Sequence, residues 1–176
     1  MPGERLAGVE LHGEFHALGK QLFRDGGEVR RLGATLVAAD VFDVLGEDGG
    51  GGTPGARVLR PLLGAVDVLQ ASAFLHLFTW EKQVEAGRAI VRFMKTEPGA
   101  MVVGTQVGSR RPGLYEQVRM FLHDVESFGR LWGEIGEATG SEWRVEAVLV
   151  EDGREKRPAW DDGSVGKLNF EVTRVR

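Results

Sequence analysis

The sequence predicts an α/β domain in which helices pack on a mostly parallel sheet and the chain finishes in an antiparallel strand pair. Short, continuous apolar runs at Leu6–Leu11, Ala34–Ala39, Val66–Ala71 and Ala100–Gly104 read as buried strands, the type found in parallel sheets covered on both faces. The segments between them repeat apolar residues at three- and four-residue steps, the period of a helix. Beyond the last helical segment, Trp143–Val150 and Lys167–Val175 alternate in the manner of strands, and Glu151-Asp152-Gly153 supplies a turn signal. With 176 residues and 42% hydrophobic content, one domain spanning 1–176 is expected.

Taken in order, Leu6–Leu11 is a strand that reaches an acid, Glu10, near its end. In Glu14–Arg24, residues Phe15, Leu18, Leu22 and Phe23 share one helical face, and Gly26-Gly27 stops the helix. Ala34–Ala39 is a second strand, closed by Asp40. The stretch Gly46–Gly55, GEDGGGGTPG, reads as a flexible glycine-rich insertion; it lacks the spacing and the strand-to-helix setting of a phosphate loop. Ala56–Leu63 is a short amphipathic helix weakened by Pro61, and Val66–Ala71 a third strand. Thr79 stands as N-cap to a helix over Trp80–Lys95 that carries Trp80, Val84, Ile90, Val91 and Met94 and ends before Pro98-Gly99. Ala100–Gly104 is the fourth strand, and Asp124–Thr139 is a helix with Phe128, Leu131, Trp132 and Ile135 inward and Gly140 as its stop.

Composition removes several function classes. The formal charge of -4 has its two signs interspersed, so no basic surface for nucleic acid is expected. No apolar run approaches the ~20 residues of a membrane helix, and Met1–Glu10 has no targeting pattern; a cytoplasmic location is expected. Cysteine is absent, which removes thiolate nucleophiles and zinc knuckles. His12, His16, His76 and His123 show no ligand spacing, so no metal is expected.

In open α/β sheets ligands bind beyond the carboxyl ends of the strands, which puts Glu10, Asp40 and Gln70 on one rim. An acid after a nucleotide-binding strand can accept both ribose hydroxyl protons, and a second acid with nearby backbone groups can hold an adenine amino group. Acids also punctuate strands as turn formers, and spacing by itself does not name a cofactor.

Five blocks, GVELHGEFHALGKQLFRD, LVAADVFD, VDVLQASAFLHLFTWEKQVEAGRAIVRFMK, GAMVVGTQVGS and HDVESFGRLWGEIGEATGSEWRVEAVL, resemble the fungal secondary-metabolite methyltransferases in their order and spacing. The resemblance runs from Leu6 to Val175 and implies a Rossmann-like class I fold. It also implies S-adenosyl-L-methionine as cofactor and a small-molecule acceptor derived from a polyketide or terpenoid. In that frame Glu10 binds the ribose, Leu11 packs on the adenine, and Asp40 with Val41 flanks the adenine ring. Gln70 and Ala71 face the methionine moiety. Ser72–Trp80 forms a floor that includes Phe78, Trp80 and His76, the candidate catalytic residue, while Gln106, Arg110, Tyr115 and His123 fall on the acceptor side. Each has a plainer reading. His76 lies in an apolar stretch that suits a structural histidine, Trp80, Trp132 and Trp143 suit core anchors, and Arg110-Arg111 suits a solvated turn.

The resemblance also implies a strand, glycine-rich turn and helix ahead of Leu6, where the sequence has Met1-Pro2-Gly3-Glu4-Arg5. That strand belongs between Leu6–Leu11 and Val66–Ala71, so its absence predicts an open sheet edge available for self-association or a second chain. Three functions follow: a methyltransferase completed by residues outside this sequence, a methyltransferase-like cyclase or isomerase, and a non-catalytic partner.

Overall fold

The computed structural model describes residues 6–22, 34–46, 53–151 and 159–176. They fall in two compact units, Met1–Leu63 and Gly64–Arg176.

In the first unit β1 (Ala7–Glu10) and β2 (Thr35–Ala38) pair in parallel, with Ala7 opposite Thr35 and Glu10 opposite Ala38. Between them in sequence runs α1 (Glu14–Leu22), tied to β2 by His16 Nε2 at 3.2 Å from the Val37 carbonyl. The helix forms where its period predicts, but its apolar face is not buried: Phe15 is 53% exposed, Leu18 52% and Leu22 75%. Gly13, His16 and Gly19 are the half-buried row instead. Phe23 and Gly26-Gly27 lie outside the described residues.

After β2, Asp40 caps a 3-10 turn over Val41–Leu45 by accepting from Phe42 N–H at 2.9 Å. Thr53 then caps α2 (Pro54–Leu59), its hydroxyl accepting from Ala56 N–H at 3.0 Å, with Pro54 in the first turn, where its missing N–H costs nothing. The end of the Gly46–Gly55 stretch is therefore the start of a helix, not loop, and residues 47–52 lie outside the described residues. The helix expected over Ala56–Leu63 is also shorter at its far end, where Pro61 leaves a 3-10 turn over Arg60–Leu62.

The second unit is built on a four-stranded sheet in the order β3 (Val68–Gln70), β4 (Met101–Ser109), β8 (Val165–Arg174), β7 (Trp143–Glu151). β3 and β4 are parallel, whereas β8 runs antiparallel to both β4 and β7. Three of its four strands, β3, β4 and β7, therefore run in one direction and β8 in the other: the expected antiparallel pair of β7 and β8 is present, and the sequence reading did not contain the insertion of β8 between β4 and β7. β4 also runs five residues beyond Gly104. That glycine does not end the strand; a Cβ there would lie 2.6 Å from the Phe170 ring and 2.7 Å from the Ala71 carbonyl oxygen. A hairpin of β5 (Gly113–Tyr115) and β6 (Met120–Leu122) follows, which the sequence reading did not contain.

Two helices cover one face of this sheet. α3 (Trp80–Phe93) stops two residues before Lys95, because Met94 turns extended and bridges to Val66. Thr79 occupies its N-cap position, yet its side chain makes no capping bond. α4 (Val125–Thr139) begins in a capping box, with the Asp124 carboxylate accepting from Ser127 N–H at 2.8 Å and the Ser127 hydroxyl accepting from Asp124 N–H at 3.1 Å. Phe128 packs on Phe170 at 4.8 Å between centroids, and Trp132 on Trp143 at 5.3 Å, so the inner face of β7 and β8 is closed by aromatic contacts.

Candidate functional site

The first unit brings Glu10 and Asp40 to the same end of adjacent parallel strands. Glu10 pairs with Ala38, two residues before Asp40, so strand geometry puts their Cα atoms about 8 Å apart at the carboxyl rim. Both side chains are half-buried. Glu10 uses one carboxylate oxygen, Oε1, on His12 N–H at 3.1 Å, and Asp40 uses Oδ1 on Phe42 N–H. Among the described residues each keeps a second oxygen without a hydrogen-bond partner, a pair of acceptors that suits a diol and an amino group. Leu11 follows Glu10 and is 59% exposed, able to lie against a flat ring, while Val41 is half-buried in the turn that Asp40 caps.

In the second unit Gln70 ends β3 and donates from Nε2 to the Ser72 hydroxyl at 3.3 Å, and Ala71 is buried with its N–H on the Val103 carbonyl at 2.9 Å. The following segment is held by its backbone. Ala73 N–H donates to the Thr105 carbonyl at 2.7 Å, and Ala73 itself adopts φ 51, a left-handed conformation that strains a residue with a Cβ. A 3-10 turn over Leu75–Leu77 then carries His76 into the interior. Its Nδ1 is buried without a partner, and burial pushes its pKa down, so the ring is neutral with a buried nitrogen to offer. Gln106, on β4, is also buried with both amide atoms unpartnered, as is the hydroxyl of Thr105. Orphaned buried polar atoms each cost about 1–3 kcal/mol, and native proteins keep them where a water or ligand completes them.

The other acceptor-side residues are engaged within the protein. His123 is fully buried, with Nε2 3.0 Å from Gln83 Oε1 and Nδ1 3.1 Å from the Ser127 hydroxyl. Gln83 Nε2 donates to the carbonyls of Phe78 and Phe121, which leaves its oxygen as acceptor and assigns the His123 proton to Nε2. Burial lowers the His123 pKa to about 4, with Arg130 adding in the same direction against Asp124. Both nitrogens are taken, so His123 is a structural histidine and has none free for an acceptor. Phe78 lends its carbonyl to this network and its ring to Phe74, at 5.3 Å edge to face. Trp80 donates from Nε1 to Glu134 at 2.8 Å and packs on Phe121, which makes it an anchor between α3 and α4.

Arg110 is tied to Glu151 at 2.6 Å and to the Gly163 carbonyl at 3.0 Å. The Tyr115 hydroxyl meets the hydroxyls of Ser109 and Ser164 at 2.8 and 3.0 Å, while Arg111 pairs with Asp162 at 2.9 Å. These bonds bind the β5–β6 hairpin to the start of β8. Asp162 has its pKa lowered by the side-chain and backbone hydrogen bonds from Ser164, assisted by Arg111. Sequence reasoning missed Gln83, Ser109 and Ser164. Gln83 had a visible signal, since it falls three residues after Trp80 on the inward row of the helix, where a polar residue calls for a buried partner. Among the described residues no three His, Asp or Glu converge as a metal site, and no helix is long and apolar enough to cross a membrane.

No protein-family model matches the chain. Among curated proteins it is 37% identical over 158 residues to the O-methyltransferase phiE of a fungal species, covering 86% of this chain and 48% of phiE. It is 33% identical over 179 residues to the O-methyltransferase atr3 of Stereocaulon alpinum, covering 99% of this chain and 48% of atr3. The chain thus spans about half the length of the curated relatives it matches. Among solved structures, the mitomycin 7-O-methyltransferase MmcR superposes with a TM-score of 0.59 at 18% identity, covering 99% of this chain and 43% of that one. A Burkholderia thailandensis 1,6-didemethyltoxoflavin-N1-methyltransferase, solved with S-adenosylhomocysteine, gives 0.57 at 13% identity, covering 98% and 62%. At those identities the structural matches establish the α/β fold of class I methyltransferases.

Proposed function

Since the chain is a relative of the fungal secondary-metabolite O-methyltransferases over about half of their length, we propose that it contributes to an S-adenosylmethionine-dependent methyltransferase. Its acceptor in this reading is a small molecule derived from a polyketide or terpenoid, modified in the cytoplasm. The observation that carries the reading is the 37% identity to phiE across 158 residues.

The residues present fit the adenosyl end of the cofactor. Glu10 and Asp40 close adjacent parallel strands, and each has a free carboxylate oxygen, for the ribose hydroxyls and the adenine amino group respectively. Leu11 supplies an apolar surface for the ring and Val41 the turn beside it. Gln70 and Ala71 take the methionine side. When bound, the cofactor supplies the methyl group. This chain's own contribution is alignment and proton removal: the neutral His76 imidazole receives the acceptor's hydroxyl proton at Nδ1 as its oxygen is methylated. Gln106, with both amide atoms unpartnered, orients the acceptor. Arg110, Tyr115 and Trp80, whose polar atoms are engaged, shape the surroundings.

The finer part of the reading concerns the sheet. Among the described residues β1 pairs with β2, and this reading adds a further strand beside β1. With that strand comes the glycine turn that approaches the methionine end. Calorimetric titration tests this. The chain by itself has little or no S-adenosylmethionine affinity, because the loss of two or three charged hydrogen bonds at about 1.5–3 kcal/mol each weakens binding by several powers of ten. Supplying the remaining half restores binding, and Glu10→Ala abolishes it again. Failure to bind after restoration removes the methyltransferase reading.

A further inference from the structure

The 3-10 turn that carries His76 has little local support. Its two backbone bonds, Leu77 N–H to the Phe74 carbonyl at 3.1 Å and Phe78 N–H to the Leu75 carbonyl at 3.2 Å, close a single short turn. The chain enters it through Ala73 at φ 51, a conformation that a residue with a Cβ keeps only where its surroundings hold it there. At the exit, Thr79 makes no side-chain capping bond to α3. Such a turn keeps one shape only when both of its ends are tied to something rigid. The entry is tied to β4, where Ala73 N–H donates to the Thr105 carbonyl at 2.7 Å.

The exit is tied by Gln83, which is fully buried. Its side chain reaches back from α3, and Nε2 donates to the Phe78 carbonyl at 3.1 Å and to the Phe121 carbonyl at 2.8 Å. Its Oε1 lies 3.0 Å from His123 Nε2. Phe121 N–H completes the junction by donating to the same Phe78 carbonyl at 2.9 Å. One amide, with both of its N–H groups and its oxygen in use, therefore joins the end of the turn, β6 and the residue that precedes the Asp124 cap of α4. An apolar side chain of similar length would fill the same space without fixing where the Phe78 carbonyl points. Two residues upstream of that carbonyl, His76 is buried, and its Nδ1 has no partner of its own among the described residues to hold the ring.

We infer that Gln83 is a positioning residue: by holding the Phe78 carbonyl against β6, it fixes the turn that carries the His76 ring. The inference rests on the methyltransferase reading, in which His76 takes the acceptor's proton, and adds to it the residue that sets where that imidazole sits. The two sides of the Gln83 amide are separable. Ser127→Ala removes the bond to His123 Nδ1 and half of the capping box, yet leaves both Gln83 donations in place.

The test follows the His76 imidazole by NMR titration of the full chain, without cofactor or acceptor. In the wild type, burial holds the His76 pKa below the ordinary 6.5. Gln83→Met releases the Phe78 carbonyl, opens the turn to water and moves the midpoint up toward 6.5. Gln83→Asn, an amide one methylene short of these partners, moves it in the same direction by less. Ser127→Ala lowers the melting temperature through the lost cap and leaves the His76 midpoint where it was. An unchanged midpoint in Gln83→Met overturns the inference, and so does an equal shift in Ser127→Ala, which marks general loosening. If Gln83→Met does not fold, Gln83→Asn is judged by the same two outcomes. In the wild type, rapid exchange of the Gln83 side-chain amide protons, which the two donated bonds protect, overturns it with no substitution at all. Because the readout involves neither cofactor nor methyl transfer, it fails separately from the methyltransferase reading, which the calorimetric titration tests.

Discussion

His123 and His76 look alike in the sequence, each a lone histidine among apolar residues, and folding gives them opposite chemistry. His123 is enclosed by Gln83 and Ser127 and held neutral with its pKa at about 4. Neither partner was read from the sequence: Ser127 lies four residues away, and Gln83, whose place on the inward row of its helix was the available signal, is 40 positions distant and is brought in by the packing of α3 against β6. The consequence for stability follows from linkage. A histidine whose folded pKa lies below its unfolded value near 6.5 binds fewer protons folded than unfolded, so its contribution is complete above pH 6.5 and declines as the pH falls toward 4. The span corresponds to about 3 kcal/mol at most. Urea unfolding at pH 7 and pH 4.5 should show the loss, and His123→Gln should flatten part of it, leaving the share of His76, which has the same sign. An unchanged pH profile in His123→Gln would assign the acid sensitivity elsewhere. Gln83→Ala removes three bonds at once and leaves the buried His123 N–H without its acceptor, while the Phe78 carbonyl keeps the Phe121 N–H at 2.9 Å; a loss of about 2–3 kcal/mol is expected in the same assay at pH 7.

Helices and strands were legible where one local signal decided them. Asp124 and Gly140 bounded α4, the alternation of Trp143–Val150 and Lys167–Val175 gave β7 and β8, and the rim acids Glu10 and Asp40 fell at strand ends as the apolar runs implied. The failures have a common physical cause, which is tertiary contact overriding local pattern. Gly104 reads as a strand end but continues β4 because the Phe170 ring and Ala71 carbonyl occupy the space of a side chain. The three-residue strands β5 and β6 are too short for a period, and hydrogen bonds from Tyr115 to Ser109 and Ser164 hold them. The α3–α4 crossing depends on a similar close approach: a Cβ on Gly87 would fall 2.2 Å from Ile135 Cδ1. Gly87→Ala should therefore cost about 1–3 kcal/mol by overpacking, despite the higher helix propensity of alanine. Thermal melts of a double variant check the cause. Ile135→Val in the Gly87→Ala background should recover part of the loss, whereas in the wild type it should cost about 0.5–1.5 kcal/mol.

Burial is divided unequally along the chain, and stability should follow it. In the Gly64–Arg176 unit, β4 and β8 share a continuous register from Met101–Thr173 to Ser109–Val165, and Leu131, Trp132, Ile135, Leu168 and Val172 are almost wholly shielded from water. In the Met1–Leu63 unit the buried apolar residues among those described are Val37, Ala39, Val44, Ala56 and Leu59, none of them on β1 or α1. The parallel ladder there extends only from Ala7–Thr35 to Glu10–Ala38. Segments with few buried contacts open at low free energy, independently of global unfolding, and their amides exchange accordingly. Hydrogen exchange followed by mass spectrometry should find β1 and α1 deuterated within about a minute, while β4, β8 and α4 stay protected for hours. Protection of α1 equal to that of β8 would mean that its apolar row is covered.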